Sequence, residues 1–84
     1  QEVLLAAARR LLVERPLATE AAGDVLLFRM RSGSIAKHLG VQSEICPQAR
    51  FIHYYTGQGV VESPLSLPWR RRIVARFAFP EGAD

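Results

Sequence analysis

The sequence predicts an α+β domain, one helix followed by an antiparallel β meander. Three observations predict it. The first fifteen residues carry apolar side chains at helical spacing. From Asp24 onward the pattern changes to short continuous or alternating apolar runs, and Gly, Pro and Ser separate those runs at turn-length intervals. A single helix ahead of several short strands is the signature of a sheet covered by a helix. The 84 residues suit one small domain with a modest core.

The helix is expected over Glu2–Arg15. Leu4, Leu5, Ala8, Leu11 and Leu12 fall on one stripe, and Arg9, Glu14 and Arg15 lie elsewhere on the wheel. Pro16 should end it, because proline disfavours a helical residue before it. Leu17 to Gly23 reads as a connector. Val25-Leu26-Leu27-Phe28 is a continuous apolar run, suited to a strand buried on both faces. Arg31 to Ser34 is a turn. Ile35 to Gln42 alternates, with Ala36, His38, Gly40 and Gln42 on one side. Ser43 to Ala49 is a loop, Arg50 to Tyr55 a third strand, and Gly57-Gln58-Gly59 the turn after it. Val60 and Val61 form a short strand ended by Pro64. Trp69 to Phe79 reads as the last strand, with Trp69, Ile73, Ala75, Phe77 and Phe79 on one face.

Composition bounds the function. Apolar residues make up 49% of the chain, which argues for a packed segment rather than a disordered one. The net charge of +3 comes mostly from arginine and favours an anionic partner. Cys46 is the single cysteine, so neither an internal disulfide framework nor a multi-cysteine zinc site can form. No apolar run approaches the ~18 residues of a membrane span. The chain opens on Gln1-Glu2, with neither an initiator methionine nor a basic leader, and its helix starts without a capping residue. A piece of a longer protein is expected.

The two histidines are the candidate chemistry. His38 has Ala36 and Gly40 as neighbours on its own face, which should leave open space above the imidazole. If the two strands pair as a hairpin around the 43–49 loop, a register that sets His38 opposite His53 places their Cβ atoms ~5 Å apart. One imidazole can then orient the other, as a cysteine peptidase requires of its histidine and third polar group. A satisfied core or surface histidine is the bland alternative. Two histidines without a nearby carboxylate or thiolate fall short of the three ligands usual for catalytic zinc, so no metal is expected.

These residues resemble a known family. Gly23-Asp24-Val25-Leu26-Leu27-Phe28 is similar to the "GDLVFF" strand of NlpC-type peptidases, Lys37-His38-Leu39-Gly40-Val41 to their "HVGIY" strand, and Phe51-Ile52-His53-Tyr54 to their "FIHA" strand. Gly59 to Ser63 and the Trp69-Arg70-Arg71-Arg72 stretch resemble the last two strands. The ordered series covers roughly residues 21 to 80 and is more specific than any single match. The closing run most resembles the peptidases of phage and gene-transfer-agent tail tips.

The resemblance implies a papain-like fold in which residues 1–84 are the C-terminal portion of one peptidase domain. It implies a Cys-His-His triad that cuts peptide bonds next to D-glutamate in peptidoglycan stems, with His38 as general base and His53 as its orienting partner. The family's nucleophile starts a helix in a "DCSGL"-like motif, expected upstream of residue 1; the segment alone should be inactive. Cys46 lies on a strand-connecting loop with no helix start before it and reads as a free thiol. Implied partners are stem peptides and other tail-tip or baseplate proteins, with no cofactor, acting in the periplasm or cell wall from a virion or phage-like tail.

Two departures stand out. Tyr54 replaces the family's small residue, and the spacing from His38 to His53 is a few residues longer. Arg70, Arg71 and Arg72 read as a solvated edge or a contact to the anionic wall. Direct nucleic-acid binding is not expected, since the aromatics are not set among the basic residues as a stacking platform. The rival function is a non-catalytic structural tail-tip subunit that keeps the fold; a small β-rich nucleic-acid module is a third.

Overall fold

The computed structural model describes residues 1–81. Along the chain these are α1 (Val3–Leu11), β1 (Val13–Arg15), β2 (Val25–Phe28), β3 (His38–Glu44), β4 (Arg50–Tyr55), β5 (Gly59–Pro64), α2 (Leu67–Arg70) and β6 (Ile73–Ala78). The strands form one sheet in the order β1-β6-β2-β3-β4-β5, with every neighbouring pair antiparallel. β2 to β5 form the expected meander. β6 departs from it, crossing back to pair with β2 between that strand and β1.

The α+β class and the positions of β2 and β4 match the sequence reading, and the bounds of α1, β3, β5 and β6 do not. The helix stops at Leu11 rather than running to Arg15: Leu12 is already extended, and Val13–Arg15 pair with Ala78–Arg76 at the sheet edge. Ladder hydrogen bonds to β6 and the β-branched Val13 outweigh the helical pattern there. β3 starts at His38 and runs to Glu44, later at both ends than the alternation suggests. Trp69 belongs to the short helix α2, and Phe79 is exposed beyond the end of β6.

The single apolar face expected for the last strand also divides. A register shift at Leu27/Phe28 pairs Leu27 with Ala75 but Phe28 with Ile73, which leaves Val74 as the extra residue of a β-bulge. Ala75 and Phe77 therefore pack with Leu5 and Ala8 of α1, Leu27 and Ala36 on one side of the sheet. Ile73 packs on the other side with Leu26, Phe28, Ala49, Phe51, Leu65 and Trp69. β2 feeds both clusters, as its unbroken apolar run requires.

Arg76 sits between Ala75 and Phe77 and is fully buried. Its Nη1 donates to Asp24 Oδ2 at 3.0 Å and Gln42 Oε1 at 2.7 Å, and its Nε donates to the Leu17 carbonyl at 3.2 Å. Gln42 Nε2 donates in turn to Glu20 Oε1 at 2.6 Å. This network fastens the helix-to-β2 connector to the sheet and satisfies a charge that would otherwise be expensive to bury. Among the described residues, no helix is long and apolar enough to cross a membrane.

Candidate active site

β3 and β4 bring the two histidines together. His38 begins β3 opposite Phe28, and Gly40, two residues further on, is the direct partner of His53. The directly opposed His38–His53 register is therefore corrected to a diagonal one. The loop sets this offset by pairing Glu44 with Arg50, and a bulge between Gln42 and Glu44 moves the register by one residue before Gly40 meets His53. A shift of two residues keeps both side chains on the same face, and diagonal neighbours remain within reach of long or aromatic side chains. The rings meet: His38 Nε2 lies 2.8 Å from His53 Nδ1.

The polar chain continues one residue further. His53 Nε2 lies 2.9 Å from Ser63 Oγ on β5. Ser63 pairs directly with Phe51, so it sits diagonally across from His53 on the same face. Its role could not be read from the sequence, because the register of β4 against β5 decides which β5 residue reaches His53.

Aromatic rings hold the pair. Phe51 stacks on His53 with centroids 4.2 Å apart at 28°, and Trp69 stacks on His38 at 5.7 Å and 29°. The edges of Phe28 and Trp69 meet His38 and His53 respectively, and Tyr55 leans on His53. The open space expected beside His38 is not there. A Cβ on Gly40 would lie 2.9 Å from Phe51 Cδ2 and 3.4 Å from Phe28 Cε1, and Ala36 is packed into the core on the other side of the sheet. Gly40 is small because two phenyl rings close over it.

His38 instead opens through one atom. His53 is only 3% exposed and uses both ring nitrogens, whereas His38 is half-buried and uses Nε2 alone. Among the described residues, no buried side-chain nitrogen or oxygen lacks a hydrogen-bond partner. Among the described residues His38 Nδ1 makes no such bond, so it is not fully buried. Burial lowers the pKa of both rings from the ordinary 6.5, and in His53 the neighbouring His38 adds to the effect. At neutral pH both imidazoles are neutral, and each carries one proton and one lone pair.

Two proton arrangements satisfy this chain. In one, His38 Nε2–H donates to His53 Nδ1, His53 Nε2–H donates to Ser63 Oγ, and the His38 Nδ1 lone pair faces outward. In the other the donations reverse, and His38 Nδ1 carries the proton. Only the first presents a base.

Cys46 is not brought to the pair. It is exposed in the 45–49 loop, past the far end of β3 from His38, which is a strand length of roughly 20 Å. The arginine run also divides: Arg70 Nη1 pairs with Glu20 at 3.3 Å, and Arg72 lies over the Trp69 ring at 5.4 Å. Among the described residues, no three His, Cys, Asp or Glu side chains converge as a metal site requires. Comparison with protein-family models, curated proteins and solved structures finds no match to the chain.

Proposed function

We propose that this chain is the histidine-bearing portion of an NlpC-type, papain-like cysteine peptidase that hydrolyses peptidoglycan stem peptides, working in a phage-like tail tip during DNA delivery. The observation that carries the reading is the His38–His53–Ser63 chain, with one nitrogen at its end that is not fully buried. A cysteine peptidase needs that arrangement: an imidazole with one nitrogen free for the thiol and the other held by a polar partner.

In this mechanism the thiol comes from residues outside this sequence and meets His38 Nδ1. His38 takes the thiol proton, and the resulting imidazolium pairs with the thiolate, which raises the His38 pKa above its resting value. The thiolate attacks a stem-peptide carbonyl, and the C–N bond breaks as His38 Nδ1 returns its proton to the leaving amine. Water, deprotonated by the same nitrogen, then hydrolyses the thioester and frees the thiol. His53 holds the His38 ring throughout, and Ser63 holds His53.

One observation favours a second reading, the non-catalytic tail subunit: Trp69 stacks across His38, and His53 is enclosed by aromatic rings as a satisfied core residue would be. Digestion of purified peptidoglycan by the longer protein that carries this chain separates the two. Wild type should release stem-peptide fragments, and His38→Ala should lower the rate by at least ~100-fold, the lower end of what a positioned general base contributes. Equal release by both proteins removes His38 from any mechanism.

A further inference from the structure

A second site lies where β2 ends and β6 begins. Phe28 pairs with Ile73, and the Arg29 N–H donates to the Arg72 carbonyl at 2.8 Å. This pairing brings two basic segments, far apart in sequence, to the same end of the sheet. Arg29, Arg31, Arg71 and Arg72 line a recess of about 500 Å³ together with Met30, Ile73 and Val74.

Four arginines give the recess a strongly positive lining. Among the described residues, Glu2 is the one carboxylate paired with any of them, 2.8 Å from Arg29 Nη1. Among the described residues, Arg31, Arg71 and Arg72 form no ion pair. Two of the four are already held in place: Arg29 by Glu2 and the Ser34 carbonyl, Arg72 by the face of Trp69. The other two are exposed and can close on a ligand.

We propose that this recess binds a tetrahedral oxyanion of the phosphate class, free or as a phosphate ester. Guanidinium groups are planar forks that pair two N–H donors with two oxygens. A carboxylate is satisfied by a single fork, whereas a phosphate offers three or four oxygens to several forks at once. The site is independent of the peptidase reading: neither histidine lines it, and no cysteine is needed.

The test is a titration of the isotope-labelled 84-residue chain, followed by amide NMR, with inorganic phosphate, glycerol phosphate and acetate at matched ionic strength. Saturable shifts at residues 29–32 and 71–74 with phosphate or glycerol phosphate, and none with acetate, support the site. The tighter of the two phosphates identifies the free or the esterified form as the natural one. The exposed double substitution Arg31→Gln/Arg71→Gln should retain the dispersed spectrum and weaken binding by at least about tenfold, the effect of losing charge-assisted hydrogen bonds. Acetate shifts equal to those of phosphate, or affinity unchanged in the double variant, overturn the proposal. Because the readout is binding by this chain, its failure leaves the peptidase reading untouched, and a failed digestion assay leaves this one untouched.

Discussion

His38 and His53 share a proton chain, and pH should reveal it. Burial lowers both pKa values from 6.5. Above that pH both rings are neutral whether the chain is folded or not, so stability there does not depend on their titration. As pH falls through 6.5 the unfolded chain takes up protons first, and stability declines until pH passes the folded values. Glu2 and Glu20, whose carboxyls hydrogen bonds hold below the ordinary 4.5, lose their contribution only at lower pH. Thermal unfolding should therefore show Tm falling between pH 7 and 5, with a shallower fall in His53→Gln; a flat profile in wild type would place the rings in water. Ser63 is a positioning residue with one bond to His53. Ser63→Ala should cost roughly 1 kcal/mol, and Ser63→Thr, which keeps the hydroxyl, should restore most of it. Chemical denaturation measures both.

The strands that carry these side chains depend on one close approach. Gly40 lets Phe51 and Phe28 close beside His53, and a Cβ there would also sit 3.1 Å from the Ile52 carbonyl. Gly40→Val should therefore cost on the order of 1–3 kcal/mol by overpacking and separate β3 from β4 next to the histidines. Near-wild-type urea midpoints in that variant would show that the rings have room to spare. The sequence placed both histidines on one face correctly, because the alternation of β3 and β4 survives a two-residue slip. It missed the slip itself, because the 45–49 loop sets Glu44 opposite Arg50, and that choice of turn leaves no mark in the residue pattern. It also read Gly40 as clearance beside His38, when the glycine is small to admit phenyl rings. The helix end was illegible for a different reason: nothing before Pro16 interrupts the helical pattern locally, and only β6, some sixty residues away, pulls Val13–Arg15 into the sheet.

Across the molecule, α1 covers one side of the sheet, and the histidines, Trp69 and Arg76 share the other. Arg76 is the tie that the sequence hid, one arginine among many in a strand that reads as apolar. It joins β6 to β2, β3 and the connector through Asp24, Gln42 and the Leu17 carbonyl. Arg76→Ala would leave the buried Asp24 carboxylate with Arg15 alone, 3.3 Å away, and Gln42 Oε1 without its donor, and should cost on the order of 3 kcal/mol. That is a large share of the stability of a domain this size. A loss under 1 kcal/mol by calorimetry would mean that water replaces the guanidinium. The α+β class, the central strands and the histidine face were legible from periodicity, whereas the β6 crossover, the polar network and Ser63 arise from long-range pairing. The arginine recess belongs with these, since β2–β6 register alone brings residues 29–32 to residues 71–74.

The proposed peptidase chemistry requires that His38 present a lone pair, not a proton, at Nδ1. Long-range ¹H–¹⁵N correlation spectra of the imidazoles, recorded at pH 7.5, read this directly. Both rings should be protonated at Nε2, with His38 Nδ1 showing the shift of an unprotonated nitrogen. A proton on His38 Nδ1, with Nε2 accepting from His53, contradicts a general base at this position.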